Sequence, residues 1–261
     1  MDGGRSEWEA WRAERLARLR AERGWLSVTG LHWLEPGENR VAGLPGVFAL
    51  RDGVVTLRAR REDGWTIEGA PVESRALASD AGPAPDLLAL GAGRWAQVLS
   101  RGGRLALRTW DAAAPSRRDF AAIEAFPWDP AWRVEATWEP FEPPRAVLVQ
   151  DVTGMESERR VSGRARFSVG ARAFSLEPTA DGDRLAFVFR DATAGVETYG
   201  AGRFLSADAP RDGRLVLDFN RAFNPPCAFT PLATCPLPRP ENVLPIRVTA
   251  GERYRGHPAA T

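Results

Sequence analysis

The chain has 261 residues, 44% hydrophobic and 26% charged, the make-up of a folded globular protein rather than a disordered one. Its 35 basic side chains balance 34 acidic ones, so the net charge of +1 leaves no general field to attract nucleic acid or an anionic membrane. Every Lys/Arg position is Arg, which excludes Schiff-base and phosphate-loop lysine chemistry.

The N-terminus is polar and shows no apolar signal segment. No apolar run approaches the ~20 residues needed to span a bilayer. A cytoplasmic location is therefore expected, with Cys227 and Cys235 held as thiols. The first predicted element is a helix from about Glu7 to Arg23. Ser6 and Glu9 have capping-box spacing, and Trp8, Trp11, Leu16 and Leu19 form one stripe. That stripe is expected to dock the helix on the protein body. Arg18, Arg20 and Arg23 suit the C-terminal dipole, and Gly24 suits a left-handed stop.

Everything after Gly24 reads as β. Strand-like runs are Val54–Arg60, Trp65–Glu68, Arg94–Ser100, Arg104–Trp110, Trp132–Trp138 and Ala146–Gln150. Further runs are Arg164–Val169, Arg172–Leu176, Arg184–Arg190, Gly202–Ser206, Arg214–Phe219 and Pro245–Thr249. Turn pairs fall at Asp52-Gly53, Asp63-Gly64, Gly102-Gly103, Asp181-Gly182 and Asp212-Gly213. Frequent tight turns without crossover helices predict an all-β fold, a mainly antiparallel barrel or sandwich with one N-terminal amphipathic helix. The Pro-containing stretch Asp111–Pro130 is the expected seam. It gives a helix at 1–24, a β unit at 25–125, a β unit carrying the candidate site at 126–255, and a flexible tail at 256–261.

Two segments gather polar groups with stiff backbone. Asp191–Phe204 reads as a hairpin mouth holding Asp191, Thr193, Glu197, Tyr199 and Arg203 among small residues. Its Asp and Thr suit a side-chain-capped turn, Gly195 suits a left-handed position, and Arg203 can fork onto Asp191 or Glu197. Leu217–Asn242 carries both cysteines, Asn220, Asn224 and Asn242, Glu241, and a run of prolines. Seven residues separate Cys227 from Cys235, longer than the usual zinc spacer, and only His32 and His257 remain to complete a ligand set. Neither a metal nor a cofactor is expected. Arg58-Ala59-Arg60-Arg61 and Arg159-Arg160 lie close to acidic residues and read as solvated strand faces.

Four segments together resemble the domain-of-unknown-function 1684 family of uncharacterised prokaryotic proteins. They are Gly24–Leu34, with His32 among apolar neighbours, then Phe126–Pro130, the Asp191–Phe204 hairpin and the Asp218–Asn242 loop. The resemblance implies a shared fold and no established activity. It also implies that His32, the hairpin polar groups and the Asn/Cys/Pro loop belong to one recurring pattern, from which His257 is excluded.

The leading functional expectation is one polar pocket for a small polar or anionic ligand. Arg203 would be the charge partner, with Tyr199, Asn220, Asn224 and Asn242 as hydrogen-bonding groups. The second expectation is a hydrolase- or lyase-type enzyme at the same place, with His32 as general acid or base and Glu241 or Asp191 orienting it. The third is a structural or assembly protein in which these groups only hold loops. No nucleic-acid or membrane partner is expected, and oligomeric state is not legible.

Overall fold

A computed structural model describes residues 3–178 and 184–256. The chain is mainly antiparallel β with one long N-terminal helix, the predicted class. It forms two compact units, Ala17–Phe120 and Met1–Leu16 with Ala121–Thr261. The Asp181-Gly182 turn, His257 and most of the expected tail lie outside the described residues.

The helix runs Gly3–Leu19, so it begins and ends four residues before the predicted bounds. Ser6 therefore sits inside the first turns rather than capping them. Gly24 is not a left-handed stop either, since its φ is −75°. Glycine is required there by close approach: an added Cβ would lie 2.4 Å from the Leu19 carbonyl oxygen and 2.5 Å from that of Arg18. The expected stripe is real, with Trp8 and Leu19 buried and Trp11 and Leu16 half-buried. Arg15 joins it as a buried cation.

In the unit Ala17–Phe120, a six-stranded sheet has the spatial order Val28–Trp33, Arg104–Asp111, Arg94–Arg101, Leu88–Leu90, Trp65–Ile67, Ala70–Pro71. A four-stranded sheet runs Gly37–Asn39, Val47–Arg51, Val54–Arg58, Ser74–Leu77. Phe48, Val55, Leu57, Trp65, Leu88 and Leu107 fill their common core. The hairpin turns at Asp52-Gly53 and Gly102-Gly103 have positive φ at both positions, as tight two-residue turns require. Asp63-Gly64 instead closes a single 3-10 turn, Arg61–Asp63, with Gly64 left-handed after it.

The second unit holds a four-stranded sheet in the order Arg172–Leu176, Glu156–Val169, Arg133–Gln150, Arg214–Asp218. A three-stranded sheet has the order Arg203–Asp208, Arg184–Asp191, Val243–Leu244. Phe187, Phe189, Leu205, Leu217 and Phe219 form the centre of its core. Two expected strands, Trp132–Trp138 and Ala146–Gln150, are parts of one strand, Arg133–Gln150. It pairs with Glu156–Val169 on both sides of a register shift between Pro140 and Arg145, because prolines cannot donate to a ladder.

Pro245–Thr249 is not a strand; only Val243–Leu244 is. The physical reason is that side chains replace the ladder: the Val248 N–H donates to Asp191 Oδ2 at 2.8 Å, and its carbonyl accepts from Arg203 at 3.0 Å.

Candidate functional site

The strand Arg184–Asp191 ends on Asp191, and its partner strand begins on Arg203. The two side chains meet at 3.1 Å, each only 1% exposed. Asp191 also accepts from the Thr193 N–H at 3.2 Å and hydroxyl at 2.8 Å, the side-chain-capped turn expected from sequence. Gly195 takes the left-handed position with φ 80°. Arg203 donates further to the carbonyls of Val248 and Ala250. Burial pulls the guanidinium's pKa down, while Asp191 pulls it back up. Its Nε has no partner among the described residues. Arg203 is thus a clasp between the hairpin and the C-terminal segment, with Asp191 rather than Glu197 as its carboxylate.

Asn220 and Asn242 act as side-chain surrogates for backbone pairing. Asn220 accepts from the Asp129 N–H at 3.0 Å and donates to the Asp129 carbonyl at 2.8 Å. Asn242 does the same with Glu177, at 2.8 Å in both directions, and also reaches the Val188 carbonyl. Asn224 donates from its amide to Arg253, while its Oδ1 has no partner among the described residues. Its backbone N–H binds Glu252 at 2.7 Å, and Glu252 in turn takes Arg15 at 3.1 Å. Desolvation raises the pKa of Glu252, and Arg15 opposes the rise. Arg15 and Glu252 were not singled out in the sequence. A lone Arg in the apolar stripe of a helix was the available signal.

Tyr199 donates to the Cys227 carbonyl at 3.0 Å and sits edge-on to Tyr254 at 4.9 Å between ring centroids. Burial first, then the neighbouring Cys227, push its hydroxyl pKa upward. Glu241 is half-exposed and pairs with Arg239 at 3.0 Å, on the guanidinium that also binds Glu177.

His32 belongs to the unit Ala17–Phe120. It lies on strand Val28–Trp33 opposite Leu107, with its ring over Gly30, where an added Cβ would come 2.2 Å from Nε2. Partial burial lowers its pKa. It has no carboxylate partner among the described residues. Asp191 and Glu241 are both committed to arginines in the other unit. Among the described residues no group of three His, Cys, Asp or Glu could hold a metal ion, and no helix is long and apolar enough to cross a membrane.

An open cleft of about 550 Å³ lies over the strand pair Arg184–Asp191 and Arg203–Asp208. In that pair, Leu185–Ala207 and Phe187–Leu205 face the core. The alternate couples Ala186–Ser206 and Val188–Phe204 therefore face the cleft. Phe223 meets Phe204 edge-on at 5.8 Å and continues the apolar wall with Pro236 and Val149. Arg159 and Arg160, both exposed, complete the border. Neither makes an ion pair among the described residues. The sequence reading of solvated faces was correct about exposure but missed the apolar floor beside them. The available signal was the apolar run Ala146–Val149 preceding the Arg159-Arg160 strand by one tight connection.

Fold and site together define a predominantly antiparallel β protein with an arginine-bordered apolar cleft backed by a lattice of buried polar clasps. The family model described as Protein of unknown function (DUF1684) matches residues 118–253, just over half of the chain, and the chain belongs to that family. All of the cleft's lining residues fall inside the matched stretch. The chain is 34% identical to the uncharacterized protein from gene locus rrnAC0354 of Haloarcula marismortui, known from a solution NMR structure. That similarity covers 53% of this chain and 80% of the other, with a TM-score of 0.44. No curated protein matches the chain.

Proposed function

We propose that this protein binds a small molecule with an apolar body and an anionic group in the cleft bordered by Arg159 and Arg160, and that it works in the cytoplasm. The observation that carries the reading is the combination of two unpaired guanidinium groups with an apolar floor. Ligand sites typically enclose ~300–1,000 Å³ with mostly apolar walls and a few polar groups that fix orientation. The cleft falls in that range. A guanidinium fork favours a carboxylate or phosphate, and the Ser206 hydroxyl adds one adaptable hydrogen bond.

Tyr199, Arg203, Asn220, Asn224 and Asn242 then support the site rather than touch its occupant. Asn242 fixes the Val188 carbonyl, and Arg203 anchors the strand position before Phe204. This reading moves the charge partner from Arg203 to the Arg159–Arg160 border, with Arg159 on the strand face of Val149 the closer contact. The hydrolytic alternative has no observation in its favour, because no carboxylate orients His32 among the described residues.

Calorimetry with medium-length alkyl and aryl carboxylates, each compared with its neutral amide, tests the proposal. The carboxylates are expected to bind at least about tenfold more tightly, a difference of roughly 1.4 kcal/mol. Ser206→Trp, which fills the cleft, is expected to abolish binding. Equal affinity for acid and amide, or full binding by Ser206→Trp, would sink the reading.

A further inference from the structure

Cys227 and Cys235 have no part in the cleft's proposed chemistry, yet the fold brings them together across a stiff loop. Cys227 follows Pro225 and Pro226 and lies in the 3-10 turn Pro226–Ala228. Its backbone N–H donates to the Cys235 Sγ at 3.2 Å. The Cys235 sulfur therefore lies against the backbone of Cys227, and its thiol is a direct neighbour of the Cys227 thiol. Both partners are anchored from outside the loop. Tyr199 holds the Cys227 carbonyl at 3.0 Å, and the Val152 N–H holds the Cys235 carbonyl at 2.9 Å. The next N–H along, that of Leu237, donates to Gln150 at 2.8 Å.

The two thiols differ in access. Cys227 is half-buried and Cys235 only 4% exposed. We propose that they form a redox-modified pair in which Cys227 reacts with a hydroperoxide and Cys235 resolves the product as an intramolecular disulfide.

In the first step the Cys227 thiolate attacks one peroxide oxygen. The S–O bond forms, the O–O bond breaks, and the departing hydroxide or alkoxide takes a proton to leave as water or an alcohol. Cys227 is now a sulfenic acid. In the second step the Cys235 sulfur attacks the Cys227 sulfur. The S–S bond forms, the S–O bond breaks, and the departing hydroxide combines with the Cys235 proton as water. The two sulfurs are oxidised together and the peroxide is reduced. The neighbouring Cys235 thiol, and after it the Tyr199 hydroxyl, hold the Cys227 thiol below its ordinary range, against the opposing effect of burial. Accessible, thiolate-prone cysteines beside a resolving partner are those that oxidise reversibly.

This inference is independent of the cleft's occupant, and its test needs no ligand. The full-length protein is treated with hydrogen peroxide, and free thiols are counted by maleimide labelling and intact mass. Both cysteines are expected to disappear together, with a mass loss of two hydrogens and a bridge within one chain, and to return on treatment with a dithiol reductant. Cys235→Ser is expected to lose the bridge and accumulate a dimedone-reactive sulfenic acid on Cys227. Cys227→Ser is expected to lose both signals, with circular dichroism confirming that each variant is folded. Oxidation only to sulfinic acid, disulfides only between chains, or dimedone labelling of Cys235 in Cys227→Ser would overturn the proposal.

Discussion

Arg203 and Asp191 meet at 3.1 Å with each side chain only 1% exposed, so the charge that closes the hairpin is sealed from solvent. Removing one member leaves the other buried without a counter-charge. Arg203→Ala is therefore expected to cost about 3–5 kcal/mol in urea or guanidinium unfolding. The double variant Arg203→Met with Asp191→Leu strands no charge but still leaves the Val248 N–H and the Val248 and Ala250 carbonyls without these partners, so it is expected to cost less than the sum of Arg203→Met and Asp191→Leu. A double variant as unstable as the two single variants summed would show that the charges do not compensate one another.

Asn242 makes a sharper test of polar satisfaction. Its amide donates to Glu177 and Val188 carbonyls, and its oxygen accepts from the Glu177 N–H. Asn242→Asp keeps the shape but turns the donor side into an acceptor facing two carbonyl oxygens. We expect it to destabilise by roughly 2–3 kcal/mol or more, at least as much as Asn242→Ala, since stranded buried groups cost ~1–3 kcal/mol each. Denaturant midpoints of the two variants check the order.

At Gly24 the constraint is space rather than torsion. Gly24→Ala would drive a methyl to 2.4 Å from a backbone oxygen that cannot rotate away. The expected cost is about 1–3 kcal/mol, as for other overpacked sites. Gly53→Ala meets open space but keeps φ at +75°. It should cost about 1–2 kcal/mol through backbone strain alone. Thermal melts of the two variants should therefore both shift downward, and relief by local loop movement is available only to Gly53→Ala.

His32 gives a pH signature within its own unit. Its folded pKa lies below 6.5 because burial disfavours the imidazolium. Below 6.5 the unfolded chain binds this proton more readily than the folded one, so stability falls as the pH drops through that range. His32→Gln removes this dependence. The stability difference between wild type and His32→Gln should therefore move against wild type on acidification from pH 7. A difference that does not change with pH would show that the folded imidazole is as solvated as the free one.

The sequence made the tight turns and the hairpin clasp readable because those features are local. Asp52-Gly53 and Asp212-Gly213 need left-handed backbone within two residues, and Asp191 caps a turn two residues on. The helix bounds were less legible, since Gly24 is selected by a carbonyl five residues back rather than by its own φ. Pro245–Thr249 looked like a strand because its alternation is real, but the Val248 partners come from residues 191 and 203. For the same reason the three asparagines read as ligand-recognition groups, and Arg203, though its fork onto Asp191 or Glu197 was legible, still read as a charge partner for a ligand. Nothing near them in sequence announces the backbone groups, up to 91 positions away, that they satisfy.

Arg159 and Arg160 offer the most discriminating test of the cleft, because neighbouring residues on a strand point to opposite faces. Arg159 is opposite Val147 and Ser157 is opposite Val149, so Arg159 shares a strand face with Val149. Val149 is 2% exposed and forms part of the cleft wall. Arg160 is opposite Ala146, on the alternate face. Arg159 is therefore the better placed to direct its guanidinium at a bound anion. Losing a charge-assisted hydrogen bond costs ~1.5–3 kcal/mol, so Arg159→Ala should weaken carboxylate binding by roughly 10- to 100-fold. Arg160→Ala should weaken it by no more than about threefold, as a screened surface charge would. Both side chains are exposed and unpaired, so neither substitution should shift the unfolding midpoint appreciably. Calorimetric titration of the two variants at matched ionic strength reads the difference. Equal losses would assign the attraction to net charge at the cleft mouth, and a larger loss in Arg160→Ala would reverse the face assignment.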